Sequence, residues 1–165
     1  MELRSHPPRL GEAARARLHF PADEPHRALE PTHGASGRDI HFLELLSAYR
    51  ATGGLALGSE IAARRSVTGL SDIARAIASR QVISFSWGGH IWLPMFQFEH
   101  RDLVTRAPVR QLIEELAPAL DDWELADWFI EPNLWLGAAT PLQLLSDDSA
   151  RVLDAARALR FGCRN

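Results

Sequence analysis

The chain has 165 residues, of which 46% are apolar and 24% charged, a composition typical of one globular domain. All 18 basic residues are arginine, which excludes every chemistry that needs a lysine amine, including the phosphate-binding P-loop and a Schiff base. A single cysteine, no readable secretory signal and no apolar run near the roughly 18 residues of a membrane span predict a cytoplasmic protein without membrane contact.

The net charge of −3 is unevenly distributed along the chain. It is +1 over residues 1–38, +2 over residues 39–111 and −6 over residues 112–165. Nine acidic residues and no basic residue stand between Arg110 and Arg151. Such a run is typical either of a solvated helical surface or of a docking face for a basic partner, and it should repel nucleic acid.

The first part of the chain predicts an arm followed by helices. Residues 1–38 hold five of the ten prolines and few large apolar residues, which predicts a flexible arm. From Asp39 an apolar stripe at helical spacing, ended by Gly53–Gly54, predicts the first helix of the folded body. The stripe consists of Phe42, Leu45, Leu46 and Tyr49.

Two short helices are predicted next, over residues 59–65 and 71–80, on either side of a break at Thr68–Gly69. Ser71 is the expected N-cap of the second helix. Two short helices around a tight glycine turn are typical of a helix-turn-helix.

A β-hairpin is predicted around Gly88–Gly89, because apolar and aromatic runs at 82–87 and 91–98 flank a dipeptide that tolerates positive φ. A two-residue turn gives two facing pairs, Phe85 with Trp92 and Ile83 with Pro94. The face shared by Ile83, Phe85, Trp87 and Trp92 should be buried. Pro94 indicates an edge strand.

The remaining residues, from 108 on, predict helices. A stripe after Pro108 is followed by Pro118, which should kink or divide the segment. A capping box at Asp121 and Glu124 predicts a helix that stops before Pro132. Two more helices are predicted, a short one capped by Thr140 with Pro141 and Gln143, and a last one over 149–161 that ends at Gly162.

These elements predict a mainly α fold, a helical bundle with one β-hairpin. Three regions are expected: a flexible arm over 1–38, a helix-turn-helix-like region with the hairpin over 39–107, and a helical region over 108–165. Burial should concentrate on six large side chains: Trp92, Phe96, Leu116, Trp128, Leu136 and Leu153.

Motifs that carry catalysis or bind metal are missing from the sequence. There is no G-x-S-x-G, H-E-x-x-H, G-x-G-x-x-G or C-x-x-C, and no histidine or cysteine spacing resembles a zinc site. Glu114 and Glu115 are adjacent, hence on different helix faces, and are expected to be solvated rather than to act as an acid and base pair. We therefore expect no enzyme activity, no metal and no cofactor.

One ordered string near the C-terminus resembles the toxin-binding domain of Xre/MbcA/ParS-type antitoxins. The string comprises Trp128–Phe129, Pro132–Asn133, Leu136–Gly137, Thr140–Pro141, Leu144–Leu145 and Val152. The region from about residue 55, including the hairpin, is similar to the segment upstream of that domain in one branch of the family. The family's usual glycine after the Leu-Leu pair is replaced here by Ser146-Asp147-Asp148.

The resemblance implies an antitoxin of a type II toxin–antitoxin system that itself catalyses nothing. It would neutralise a RES-domain toxin, an NAD-consuming enzyme, by covering the toxin's active site with its C-terminal region. The resemblance also implies a homo-oligomer and binding to its own promoter through the helix-turn-helix near residues 59–80. The motif positions that it carries over as structural are Trp128, Pro132, Asn133, Leu136, Gly137, Pro141 and Leu145.

The sequence predicts two sets of contact residues, one for the toxin and one for DNA. Toxin contacts are predicted at the final helix and tail, where arginines return at helical spacing beside an aromatic side chain: Arg157, Arg160, Phe161 and Arg164. The alternative is that these arginines only complement the helix C-terminal dipole. DNA contacts are predicted at Arg64, Arg65, Ser71, Arg75 and Arg80.

Two other classes of function stay open. One is a winged-helix regulator without a toxin, with residues 71–80 as recognition helix and the hairpin as wing, although the hairpin is aromatic and uncharged. The other is a small enzyme whose active-site cleft the sequence does not indicate.

Overall fold

The structure, a computed structural model, describes residues 36–65 and 69–162, so most of the predicted arm lies outside the described residues. This part of the chain belongs to one compact unit. It is mainly α, as predicted, with seven α-helices and one three-stranded antiparallel sheet among the described residues. The helices are α1 (Gly37–Tyr49), α2 (Gly58–Arg64), α3 (Gly69–Ala78), α4 (Ala107–Leu116), α5 (Asp122–Ile130), α6 (Pro141–Leu144) and α7 (Ser149–Gly162). The strands are β1 (Leu55–Leu57), β2 (Phe85–Trp87) and β3 (His90–Pro94).

Helix α1 begins with a capping box in which the Ser36 side chain accepts from the Asp39 amide and Asp39 accepts from the Ser36 amide. Three of the four stripe residues are buried, as predicted: Phe42, Leu45 and Tyr49. The fourth, Leu46, is 40% exposed, because it lies on the flank of the helix turned away from the core. After a 3-10 turn the chain reverses at Gly53, whose φ of 99° is in the left-handed region.

The sheet has three strands rather than the two of the predicted hairpin, in the order β1-β3-β2. The predicted facing of Phe85 and Trp92 across the Gly88–Gly89 turn is confirmed. Strand β1 was not predicted because its three residues are too few to show an alternating pattern. Its pairing makes β3 the central strand, so the prediction that Pro94 indicates an edge strand is wrong.

The predicted facing of Ile83 and Pro94 is also wrong, since β2 pairs with β3 only as far as Phe85. Pro94 has no N–H to offer beyond that point. The buried Gln97 side chain bonds the backbone there instead: its Oε1 accepts from the Ile83 amide at 2.7 Å. Its Nε2 donates to the carbonyls of Ile83 at 2.8 Å and Pro94 at 2.9 Å. The side-chain amide of Gln97 therefore supplies the hydrogen bonds that further pairing between the two strands would have provided.

Helices α2 and α3 pack closely against each other. A Cβ atom at Gly69 would lie 2.6 Å from the carbonyl oxygen of Ala62, so only glycine allows this approach. Because α3 already includes Gly69, Ser71 lies within its first turn, and the prediction that Ser71 is the N-cap is wrong. Residues 66–68, which include the predicted break at Thr68, lie outside the described residues.

The C-terminal helices begin where local signals predicted. The Asp121 side chain caps α5 by accepting from the Trp123 and Glu124 amides. The Glu124 side chain in turn accepts from the Asp121 amide. Thr140 and Gln143 form the same reciprocal arrangement at α6, with Pro141 in the first turn. Both capping boxes are confirmed.

The described residues form two apolar cores. The larger core joins α1 and β2 to the C-terminal helices α4, α5 and α7, and the smaller one lies under α2 and α3. The larger core crosses the predicted boundary at residue 107, and the Tyr49 hydroxyl donates to the Ala126 carbonyl at 2.6 Å across it. Four residues of the predicted core are buried: Phe96, Leu116, Trp128 and Leu136. Trp92 and Leu153 are half-buried and pack against the same core.

Candidate functional site

The arginines of α7 that were predicted as toxin contacts, Arg157 and Arg160, form ion pairs with α4. Arg160 donates to Oε2 of Glu115 at 2.6 Å, and Nε of Arg157 lies 3.6 Å from Oε1 of the same carboxylate. The hydrogen bond from Arg160 holds the pKa of Glu115 below its ordinary value, against a smaller opposing effect of burial. Glu115 is therefore only partly solvated: its side chain is 23% exposed and pairs with a residue 45 positions away in sequence. The exposed Glu114 has the surface position predicted for it.

The end of α7 exposes an aromatic ring. Phe161 is 65% exposed, the expected accessibility of an interface anchor. Arg157 also pairs with Asp154, one turn earlier on α7, at 3.3 Å. Arg164 lies outside the described residues. Of the predicted toxin contacts, Arg157 and Arg160 thus have partners within the chain, and Phe161 is the exposed apolar member.

A more exposed apolar feature lies beside α7, in the turn between α5 and α6. Leu134 is 92% exposed and Trp135 is 71% exposed, although both are large apolar side chains. They belong to a 3-10 turn, Leu134–Leu136, that packs against α7. We call residues 133–138 the Leu134–Trp135 corner. The guanidinium of Arg151, near the start of α7, lies 3.8 Å from the position that a Cβ at Gly137 would take.

The backbone of the Leu134–Trp135 corner is closed by its own hydrogen bonds. The Asn133 side chain accepts from the Trp135 amide at 2.9 Å, and the Asn133 amide donates to the Ala139 carbonyl at 3.0 Å. Gly137 and Ala138 follow with φ of 69° and 68°, in the left-handed region. An alanine in this region is uncommon and requires support from the surrounding structure. The corner therefore presents its two apolar side chains on a constrained turn.

The motif residues of the resemblance divide into buried supports and turn formers. Four of them are buried: Trp128, Leu136, Pro141 and Leu145. Asn133 and Gly137 shape the turn, and Pro132 is exposed where α5 has ended. The indole Nε1 of Trp128 is buried and finds no hydrogen-bond acceptor among the described residues.

Sequence reasoning did not identify Leu134 and Trp135 as candidate contacts. The signal available was their position between a helix stop at Pro132 and the left-handed Gly137, because such a turn between helices lies at the surface. Sequence patterning alone did not separate them from Leu136, the next residue, which is 3% exposed.

Of the predicted DNA contacts, two arginines bind within the fold. The guanidinium of Arg80 donates to the carbonyls of Ala117 and Leu120 and contacts Asp122 at 3.1 Å. These carbonyls lie just after the end of α4, so Arg80 satisfies backbone acceptors that the helix leaves free. Arg65 likewise donates to the Leu103 carbonyl.

The other predicted DNA contacts lie on the exposed surfaces of α2 and α3. Arg64, Ser71 and Arg75 are exposed, and Arg75 pairs with Asp72 on its own helix at 3.4 Å. A half-exposed pair of this kind contributes little stability and is readily exchanged for another anion. The structure therefore leaves three of the five predicted DNA contacts accessible.

Comparisons with known proteins assign no family. No protein-family model, curated protein or solved structure matches the chain. Over residues 36–65 and 69–162, no three His, Cys, Asp or Glu side chains are grouped so that they could hold a metal ion. None of the helices in those ranges is long and apolar enough to cross a membrane.

Proposed function

We propose that this chain is an antitoxin that binds a protein toxin through the Leu134–Trp135 corner and the adjacent exposed surface of α7. The observation that carries the proposal is the exposure of Leu134, 92%, and Trp135, 71%, on a turn closed by Asn133. Exposing a large apolar side chain on a constrained turn gains nothing for folding, whereas tryptophan is enriched among the residues that contribute most of the binding energy of protein interfaces. Phe161, 65% exposed at the end of α7, supplies a second aromatic contact.

The partner we propose is a RES-domain toxin that consumes NAD, as the resemblance to Xre/MbcA/ParS-type antitoxins implies. Electrostatics supports such a partner. An enzyme that binds NAD must accommodate the two negative charges of its pyrophosphate and therefore carries positive potential around its pocket. The stretch between Arg110 and Arg151, within which the corner lies, has the complementary sign, whereas the corner itself holds no charged residue and α7 carries three arginines and one aspartate. Bound at the NAD pocket of the toxin, this chain would act by covering the pocket and would catalyse nothing itself.

Co-expression with a RES-domain toxin encoded beside this chain tests the proposal. We expect the Leu134→Ala/Trp135→Ala double variant to lose copurification with the toxin and to lose rescue of growth, since each anchor contributes on the order of 2 kcal/mol to such an interface. Leu70→Ala is the matched control, because Leu70 is 68% exposed on α3 and lies outside the proposed surface. Full rescue by the double variant, at equal protein levels, would contradict the proposal.

The predicted tail contacts require a separate variant. Phe161→Ala should weaken toxin binding while leaving the fold unchanged, because the ring is exposed. Arg160→Ala is less informative, because it also removes the ion pair with Glu115. Deleting residues 157–165 combines both effects, and rescue of growth by that truncated chain would show that the tail is dispensable.

Promoter binding is a second candidate function, favoured by the exposure of Arg64 and Arg75 on neighbouring helices. A gel shift with the chain's own promoter tests it: Arg64→Ala/Arg75→Ala should abolish the shift, and the exposed Arg101→Ala should not. Binding unchanged in the double variant would remove α2 and α3 as the DNA surface. A chain that shifts the promoter but copurifies with no toxin would instead support the stand-alone winged-helix regulator.

A further inference from the structure

A cleft of about 500 Å³ lies between the turn that follows α1 and the helix α6, and none of the functions proposed above uses it. The turn contributes Thr52 and Gly53 to the lining, and the α6 region contributes Leu142 and Ser146. The volume falls within the range of about 300 to 1,000 Å³ that small-molecule sites occupy. Within the described part of the chain, no residue of the Leu134–Trp135 corner, α2, α3 or α7 lines this cleft. A ligand bound there leaves the proposed toxin and DNA surfaces accessible.

The lining of the cleft combines apolar side chains with two of opposite charge. Five large apolar residues contribute to it: Met95, Phe96, Phe98, Leu142 and Leu145. The two charged residues are Glu99 and Arg106. Sites for small molecules typically have this make-up, since apolar contacts supply the buried area and a few charged groups fix the orientation. The cleft therefore suits a molecule that has both an apolar part and a charged part.

The two charged residues of the cleft stand on an ordered backbone. The Glu99 amide donates to the Val104 carbonyl at 2.8 Å, which closes the loop between them. The Arg106 amide donates to the carbonyl of the fully buried Gln97, also at 2.8 Å. Both side chains therefore start from positions that main-chain hydrogen bonds fix, which is what a binding site requires of its charged groups.

The guanidinium of Arg106 is poorly satisfied within the fold. Its Nε lies 3.9 Å from Oε1 of Glu99, which is beyond hydrogen-bond distance, and its Nη1 donates to the Phe96 carbonyl at a long 3.4 Å. Among residues 36–65 and 69–162 it makes no other hydrogen bond, although its side chain is only 30% exposed. A guanidinium has five N–H donors and binds a carboxylate through two parallel hydrogen bonds. Arg106 therefore has donors left for a carboxylate in the cleft.

We propose that the cleft binds a free α-amino acid with an apolar side chain. Its carboxylate would bind Arg106, its ammonium group would bind Glu99, and its side chain would contact the apolar lining. A carboxylate without an ammonium group would lie beside the like charge of Glu99, and an amine without a carboxylate would lie beside Arg106. An amino acid carries both charges on neighbouring carbons, so it exchanges one long ion pair for two shorter ones and leaves neither charge alone.

Isothermal titration calorimetry of the full chain gives the first test, with L-phenylalanine, L-leucine and L-methionine as probes. We expect at least one of them to bind with a dissociation constant of about 1 mM or tighter. The amino acid that binds tightest is then compared with its deaminated and decarboxylated analogues, which for L-phenylalanine are 3-phenylpropionate and 2-phenylethylamine. Each analogue should bind at least about 10-fold more weakly, because it leaves one charge of the cleft unmatched. No measurable binding of any probe, or an analogue that binds as tightly as the amino acid, overturns the proposal.

Substitution of Arg106 tests the carboxylate contact. Arg106→Gln should raise the dissociation constant of the amino acid at least about 10-fold, because the charge-assisted hydrogen bonds to the carboxylate are lost. Arg110→Gln is the matched control, since Arg110 is an exposed arginine of α4 outside the cleft. Circular dichroism verifies that both variants are folded. Equal affinities in the two variants would overturn the assignment of Arg106.

Substitution of Glu99 tests the ammonium contact and does not depend on the fold, because the Glu99 side chain is 61% exposed. Glu99→Gln should weaken the amino acid about 10-fold but should tighten its deaminated analogue, since the like charge beside the analogue's carboxylate is gone. The exposed Glu114→Gln should change neither. A Glu99→Gln variant that binds both molecules more weakly, or both as the original chain does, would overturn the proposal. Opposite changes for two ligands cannot arise from a general loss of structure.

Discussion

Arg160 on the last helix lies 2.6 Å from Glu115 on α4, and this contact joins the two helices near the C-terminal end of α7. The Glu115 side chain is only 23% exposed, so the pair is better shielded from solvent than an ordinary surface ion pair. The residue predicted to contact a partner thus also holds its own helix in place. Substitutions at this position must be interpreted with both roles in view.

Stability should depend on pH through Glu115. Because its pKa is lowered from 4.5 in the folded chain, its contribution is full above about pH 4.5 and is lost as the pH falls through the lowered pKa. Glu115→Gln should reduce the free energy of unfolding by about 1 kcal/mol at pH 7, and the deficit should shrink at low pH. Urea titrations at pH 7 and pH 3 measure both values, with the exposed Glu114→Gln as control. An unchanged deficit at pH 3 would contradict this assignment.

Arg80 should matter for stability even without DNA. Arg80→Ala leaves the Ala117 and Leu120 carbonyls without their donor and should cost about 2 kcal/mol of unfolding free energy. Arg75→Ala removes an exposed arginine of the same region and should change stability by less than about 0.5 kcal/mol. Thermal unfolding of the two variants side by side distinguishes them, and equal melting temperatures would argue against a structural role for Arg80.

Gln97 should be among the least replaceable polar residues of the described chain. Gln97→Leu keeps the approximate volume but leaves the Ile83 amide and the Ile83 and Pro94 carbonyls buried without partners. We expect a loss of about 3 kcal/mol in the free energy of unfolding, measured by urea titration. Gln111→Leu on the exposed side of α4 should be nearly neutral. A Gln97→Leu variant as stable as the original would show that water or a backbone shift satisfies these groups.

The two tryptophans on either side of Pro132 should behave in opposite ways. Trp128 is 6% exposed and packs edge-on against Phe129, so Trp128→Ala should destabilise the fold by about 3 to 5 kcal/mol. Trp135 is 71% exposed, so Trp135→Ala should stay within about 0.5 kcal/mol of the original stability. Guanidinium chloride unfolding followed by circular dichroism compares them. A large loss in Trp135→Ala would mean that the indole supports the fold rather than a partner.

The features that were predicted correctly from the sequence depend on residues that lie close together in the chain. The capping boxes at Asp121 and Thr140 close within three residues, and the two-residue turn at Gly88–Gly89 sets the facing of Phe85 and Trp92. Such features are legible because local geometry alone decides them.

The errors concern partners that are distant in sequence. Arg80 and Arg160 were interpreted as surface residues because their acceptors lie 37 and 45 positions away. The Gln97 side chain bonds Ile83, 14 positions earlier, where a strand pair was expected. The exposure of Leu134 was also missed: its position after Pro132 indicates a surface turn, but whether Leu134 or Leu136 is the buried leucine depends on how the corner packs against α7, which no local pattern encodes.

The bond from the Tyr49 hydroxyl to the Ala126 carbonyl spans 77 positions, and this separation affects how the chain folds during synthesis. At roughly 5 to 20 residues per second, the ribosome needs several seconds after completing α1 to reach α5. During that interval Phe42, Leu45 and Tyr49 lack the part of their core that α5 supplies, although Phe85, Trp87 and Phe96 are made earlier. The nascent chain therefore leaves the apolar side of α1 partly exposed, where chaperones or proteases can bind it. The yield of folded protein should then depend on translation speed between α1 and α5.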